Sequence, residues 1–503
     1  MYNPEENQAL LAAFQSYHTN LIIKKRIANQ RYFKRLFWLA LLFLIAGSLY
    51  LLDHLPRSIS FDKSLLALGI TWMGAFPFLQ YLKNPNRPPI PFFPMVGIYY
   101  AAAYGLPVFA ADVVIHYRFP LKYVTSTALI LALIGIGGLN AAFFLSKSLL
   151  WRKVSPLRLN GPFSLTRLLI LSWLLLLGHF ANAAISSVRE IPSLGQFLEP
   201  AGYLAFGIFY IVWKRGLLPR SNVLPLVATS LLILLVRLSS GLLSQVFFLL
   251  FFLLLVVWRE SKRLPILLPC LTLVFILVFN PIKNQYRDLT WRGEYSNAGS
   301  IEKAQLFIDL ATEQIIGGNK RGSSSTSNDD TSSLNTVIDR VGYINFFSKV
   351  IEDTPERVPY WGGQTYLPLL TKFIPRFIWP NKPAETIANQ FGRRYGYLGS
   401  TDFSTALNLP WLVEAYANFG DFGMLIVMPL IGTFLAFLEQ KFNRHDTNFL
   451  EFLIGATVLF RLPLQESNFS LMVGGIFMLV LSFYLLFIFW VGRPRINQGV
   501  DLL

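Results

Sequence analysis

The chain has 503 residues, of which 53% are hydrophobic and only 14% charged, with a mean hydropathy of +0.47. Soluble domains carry about a quarter charged residues, so an ordinary soluble enzyme is excluded. The net charge of +16 would suggest a nucleic-acid partner, but the cations lie in short connections between apolar runs, and no nucleic acid is expected.

Taken in order, residues 1–35 read as a basic cytoplasmic tail. Leu21, Ile22, Ile23 and Ile27 alternate with Lys24, Lys25 and Arg26, as in helices that lie along a membrane surface. The tail lacks the short apolar core of a cleavable signal, so the first span is expected to remain as an anchor. Apolar runs near the roughly 20 residues needed to cross a bilayer follow at 36–53, 65–82, 91–110, 123–146, 168–187, 197–213, 222–239, 241–257 and 264–281. Three more stand at 411–438, 448–464 and 469–491. The predicted fold is an all-α polytopic integral membrane protein of about twelve transmembrane helices. The predicted divisions are the tail 1–35, spans one to nine in 36–281, a large, partly helical external loop at 282–410 between spans nine and ten, spans ten to twelve in 411–491, and a cytoplasmic tail at 492–503.

With the amino terminus placed in the cytoplasm, the segments on that side hold 23 Lys and Arg and the short opposite connections hold 5. This is the positive-inside bias. It predicts both termini in the cytoplasm and the insert outside. The insert from 280 to 410 carries 14 cationic against 13 anionic residues, so anion recognition there rests on a few placed cations. Cys270 is the only cysteine, which excludes intrachain disulfides and cysteine metal clusters.

Gly135, Gly137 and Gly138 predict close helix contact in the early spans. His179, Asn182, Arg237, Gln245, Arg461 and Gln465 stand toward the outer ends of their spans. Polar groups inside a bilayer are costly, and their clustering suggests a water-accessible region opening outward. Within the insert, 301–316 and 335–354 have helical period, whereas 319–333 is rich in Ser, Asn and Asp and is expected to be mobile. The block from Trp361 to Pro383 is dense in aromatics and holds Lys372, Arg376 and Lys382 between Pro368, Pro375, Pro380 and Pro383. Those prolines preclude continuous helix.

No phosphate-binding glycine loop, HExxH or paired D-x-D carboxylates are present, which argues against ATP hydrolysis and metal-dependent chemistry. No metal or cofactor is expected. The external cations Arg287, Arg292, Arg340, Lys372, Arg376 and Lys382 suit an anion at the membrane surface, such as a lipid pyrophosphate. Guanidinium binds phosphate bidentately and Lys acts as a point charge. For each of them a structural ion pair is an equally natural duty.

The strings K-N-Q-Y-R (283–287), D-R-V-G-Y (339–343), T-P-E-R-V-P-Y-W-G-G-Q-T-Y (354–366), I-P-R-F-I-W-P-N-K-P (374–383) and E-A-Y-A-N-F-G-D-F-G (414–423) resemble the oligosaccharide repeat-unit polymerases, the Wzy-type O-antigen polymerase family. The resemblance covers mainly residues 280–425. It implies a metal-independent glycosyltransferase of the bacterial inner membrane that acts on the outer leaflet. The growing glycan would leave undecaprenyl pyrophosphate and join the next lipid-linked repeat. On that reading Arg287, Arg340 and Arg376 clamp the pyrophosphate, with Lys382, Lys372 and Arg292 in support. Glu414 is the expected proton acceptor, with His179 and Asp402 in reserve. Tyr366, Trp379, Trp361 and Tyr395 could stack on sugar rings, though packing is an equally natural role. Expected partners are the lipid-linked oligosaccharide, membrane lipid, and by resemblance only a chain-length regulator and a flippase. A glycan ligase, or a transporter of lipid-linked glycans, remains an alternative.

Overall fold

The computed structural model describes residues 30–112, 120–159, 164–185, 187–188, 191, 194–240, 243–261, 282, 285–296, 298–316, 342–372, 374, 378–379, 381–383, 385–465 and 467–491. Among these the regular structure is helical, without strands. Eight helices are long and apolar enough to cross a membrane: α1 (Gln30–Asp53), α2 (Phe61–Lys83), α3 (Phe92–Ala110), α4 (Ser126–Ser148), α5 (Leu165–Ala184), then α7 (Arg220–Ser239), α13 (Gly423–Phe442) and α15 (Phe469–Trp490). This is a membrane protein. Between α5 and α7 lies α6 (Leu194–Lys214), and after α7 comes α8 (Leu243–Ser261). The remaining helices are α9 (Ser300–Ile316), α10 (Ile344–Asp353), α11 (Ile387–Arg394), α12 (Trp411–Phe419) and α14 (Phe449–Leu459).

Two expected spans look different in three dimensions. The run 411–438 is broken: α12 ends at Gly420, and the crossing helix α13 starts only at Gly423. Gly420 takes φ +60°, a left-handed conformation that glycine adopts without steric cost. The run 448–464 contains α14 of 11 residues followed by a tight turn at Leu462–Leu464. At 1.5 Å per residue α14 reaches about 17 Å, roughly half the hydrocarbon thickness. The expected span 264–281, the surface helix near residues 21–27 and the Ser-rich 319–333 lie outside the described residues. α1 begins at Gln30, inside the expected tail.

Local chemistry accounts for the helix starts. Thr125 accepts the Ala128 amide at the head of α4. Asn448 and Glu451 form a reciprocal capping box on α14, each satisfying a donor that the first turn leaves open. Packing then uses the small residues. α4 lies against α13, where a side chain on Gly432 would meet the Leu139 carbonyl at 2.3 Å. Gly135 and Gly138 of α4 face Met424 and Pro429 of α13, the close approach expected from their sequence. α5 packs on α6, and α2 on α3 and α4. At one end of the bundle, Asn443 binds both the amide and the carbonyl of Ile90 at 2.9 and 2.7 Å. The Leu159 amide donates to Glu451 at 2.8 Å there.

The insert is not a detached domain. α10 packs on α4 and α12, with Phe347 and Val350 buried. The Tyr343 amide donates to the Ala103 carbonyl of α3 at 2.7 Å. The single helical turn Pro368–Lys372 lies against the start of α15. α9 instead packs on α7, in a small separate cluster with Ile282 and Tyr286.

Candidate functional site

The 361–366 segment and α12 are joined through their backbones. The Trp361 amide donates to the Ala417 carbonyl at 3.0 Å, and the Gly362 amide to the Asn418 carbonyl at 3.1 Å. Asn418 accepts the Gly363 amide at 2.9 Å and donates to the Thr365 hydroxyl and the Glu414 carbonyl, both at 2.8 Å. Two of the sequence strings singled out above, W-G-G-Q-T-Y and E-A-Y-A-N-F-G, therefore form one unit. At its edge, the Tyr360 hydroxyl stands 2.5 Å from where a Cβ on Gly420 would lie.

This unit buries Glu414 completely, at 0% exposure. The Phe469 amide, the first of α15, donates to Glu414 Oε2 at 2.7 Å. Its Oε1 is buried and has no partner in hydrogen-bonding geometry among the described residues. α12 precedes the crossing helix α13, and burial pushes the Glu414 carboxyl up to about 8. The Thr365 hydroxyl and the Phe469 amide pull the other way, and nearby Glu385 raises it further. Such a carboxyl exchanges protons near neutral pH, as a general acid or base requires.

A second cap runs in the opposite direction. Gln465 Oε1 accepts the Trp411 amide, the first of α12, at 3.2 Å. Thus Gln465 caps α12 while Glu414 of α12 caps α15. Gln465 is fully buried with φ +43°, a strained conformation for a residue with a side chain, of the kind that concentrates at functional sites. Glu385 completes the group. It pairs with Lys372 and accepts from Asn468 Nδ2 at 2.8 Å and Ser470 Oγ at 2.5 Å.

A separate polar cluster lies among α5, α6, α7 and α8. Arg237 donates to Glu199 at 2.5 Å and to Gln245, and the Tyr203 hydroxyl donates to Glu199 at 3.0 Å. His179 Nε2 faces Arg237 Nη2 at 3.4 Å and Nδ1 faces the Leu198 carbonyl at 3.2 Å. A guanidinium can only donate, so Nε2 accepts and the proton sits on Nδ1 of a neutral ring.

Arg340 and Arg376 lie outside the described residues, as does the side chain of Arg292. Arg287 stacks on Trp291 at 4.6 Å, and its neighbour Tyr286 donates to the Ser239 carbonyl of α7 at 2.9 Å. That places Arg287 with the α7–α9 cluster rather than in the Glu414 group. Lys382 donates to the Thr371 and Ile374 carbonyls at 2.7 and 3.1 Å, closing the turn at 368–372 as a terminal lysine does. Lys372 is held in its ion pair with Glu385. His179 belongs to the α5–α8 cluster. The Thr405 hydroxyl, with the Thr405 and Ser404 amides at 2.9 and 3.0 Å, holds the Asp402 carboxyl down to about 2, far too acidic for a base at neutral pH. The Tyr366 hydroxyl is buried near Glu414 on a partly buried ring. Trp379 is 38% exposed. Trp361 packs under the Arg394 guanidinium and Tyr395 bonds Thr354 at 2.7 Å, both structural duties. Glu385 and Tyr100 escape sequence reasoning, since nothing in their spacing brings them to Glu414, whereas the signal for Trp411 was there, three residues before Glu414 on α12.

No curated protein and no solved structure matches this chain. Residues 162–495 match a family model described as "Domain of unknown function (DUF8712)". That range contains α5 to α15 with both polar clusters, apart from Tyr100 of α3, and covers more than half of the chain. The chain therefore belongs to the DUF8712 family.

Proposed function

We propose that this protein is a metal-independent glycosyltransferase that polymerises lipid-linked oligosaccharide repeats at the outward face of a bacterial inner membrane. In this reading the chain crosses twelve times with both termini in the cytoplasm, and 282–410 lies outside. The bond between the anomeric carbon and the pyrophosphate oxygen breaks, and its electron pair leaves with undecaprenyl pyrophosphate. An acceptor hydroxyl of the incoming lipid-linked repeat forms the new bond and passes its proton to Glu414. Arg287, Arg340 and Arg376, with Lys382, Lys372 and Arg292, would stabilise the charge on the leaving group. Lys382 and Lys372 would do so only by giving up the contacts described above. Chain-length control and flipping fall to partner proteins.

The observation that carries this reading is the fully buried, incompletely partnered Glu414 at the junction of two strings that resemble those of the polymerases. Purified protein in liposomes with lipid-pyrophosphate-linked repeats, without added metal, should give a product ladder on a gel. Glu414→Gln and Arg376→Ala, if folded, should abolish it. No ladder from the wild type, with lipid-linked sugar moving across the bilayer instead, would overturn the enzyme reading. The cluster of His179, Glu199 and Arg237 within the helices favours that second reading, transport of a lipid-linked glycan, because intramembrane charges commonly mark transport pathways.

A further inference from the structure

Several polar atoms around Glu414 share one peculiarity. Glu414 Oε1, Gln465 Nε2, Trp411 Nε1 and the hydroxyls of Tyr100 and Tyr366 are all buried, and none has a partner in hydrogen-bonding geometry among the described residues. They are neighbours. The Tyr366 hydroxyl lies within electrostatic reach of both Glu414 and Tyr100, and the Tyr100 hydroxyl and the Gln465 side chain interact with one another. Trp411 and Tyr366 both pack on the Phe469 ring, at 5.2 and 6.1 Å. Buried polar groups are almost always paired, so several orphans in one place call for a missing partner. The orientation of Gln465 is set independently. Its oxygen is committed to the Trp411 amide, which leaves its NH2 as a pure donor directed elsewhere.

We infer that this cluster is the recognition site for a hydroxyl of a neutral sugar ring, with Gln465, Tyr100, Tyr366 and the Trp411 indole as its hydrogen-bonding residues. The inference rests on the proposed function and assigns it a division of labour. The orphans are two obligate donors, two hydroxyls able to donate or accept, and one carboxyl oxygen. A sugar hydroxyl, both donor and acceptor, complements that set. A phosphate does not fit. The one cation in the described group, Lys372, is neutralised by Glu385, and a second anion would face the Glu414 carboxyl. Acceptor sugar and pyrophosphate are thus bound by different residues, and Gln465 helps to choose which hydroxyl meets Glu414.

The test is saturation-transfer NMR on the full-length protein in nanodiscs, with glucose, galactose, N-acetylglucosamine and rhamnose as probes and inorganic pyrophosphate as contrast. At least one sugar should bind saturably to the wild type. Tyr366→Phe and Gln465→Glu should each weaken it at least tenfold and leave pyrophosphate binding unchanged. Gln465→Glu keeps the oxygen that caps α12 and replaces the donor with an acidic oxygen. If it fails to fold, Tyr366→Phe and Tyr100→Phe decide, since each deletes a single atom. No sugar binding to the wild type, or sugar binding unchanged in the variants, overturns the assignment and leaves ordered water as the missing partner. The ladder assay separates the two readings. Sugar binding that depends on Gln465 without any ladder sinks the polymerase alone, whereas a wild-type ladder unaffected by these variants sinks the sugar site alone.

Discussion

Removing the Tyr366 hydroxyl should stabilise the ligand-free protein while impairing its activity. A buried hydroxyl without a partner costs about 1–3 kcal/mol, and Tyr366 Oη is such a group. The phenol is held neutral, because burial and the neighbouring Glu414 push it well above its ordinary range, so no charge is lost with the oxygen. Its ring packing survives in phenylalanine, stacked with Phe419 at 6.4 Å and edge-on to Phe469. With an unfolding entropy on the order of 2 cal/mol/K per residue, a chain of 503 residues converts that gain to about 1–3 °C in Tm. Thermal unfolding in nanodiscs at neutral pH, followed by intrinsic fluorescence without ligand, reads the sign directly. Tyr100→Phe should shift Tm in the same direction. A fall in Tm of that size for Tyr366→Phe would show that the hydroxyl is already paired in the resting protein, and would refute the reasoning from orphaned groups.

Transfer activity should rise with pH through an apparent pKa near 8 set by Glu414, and Glu414→Gln should erase both the activity and that dependence. The same shift has a stability sign: between the ordinary carboxyl value of 4.5 and about 8 the folded state holds the proton and the unfolded state does not, so stability falls as pH rises across that window. Denaturation midpoints of wild type and Glu414→Gln at several pH values check this, the variant losing the slope. Arg237→Ala should destabilise by up to about 3–5 kcal/mol because it leaves the partly buried Glu199 carboxylate without its cation, held only by the Tyr203 hydroxyl, and adding Glu199→Gln should recover much of the loss in a double-mutant comparison. Gly420→Ala should cost at least about 1–2 kcal/mol for the left-handed backbone, with a further clash against Tyr360; a melting temperature equal to wild type would contradict the described break between α12 and α13.

Much of the membrane character was legible in the chain itself. Apolar length reports a bilayer crossing directly, because about 20 residues of helix match the hydrocarbon thickness, and most runs named from composition reappear as helices. Helical period likewise placed α9, and the small residues of α4 announced its close contact with α13. The breaks were harder to read. Gly420 interrupts an apolar run that looks continuous, since hydropathy averages over a window and is blind to one left-handed residue. Glu414 was nominated from its string, but its surroundings were not legible there. Glu385 lies 29 positions before it, Gln465 lies 51 positions after it, and Tyr100 sits on a different span. Only the docking of 361–366 on α12 and the reciprocal capping of α12 and α15 bring them together. Burial then decides the chemistry, for sequence can nominate a carboxylate, but its proton affinity is set by which groups the fold leaves beside it.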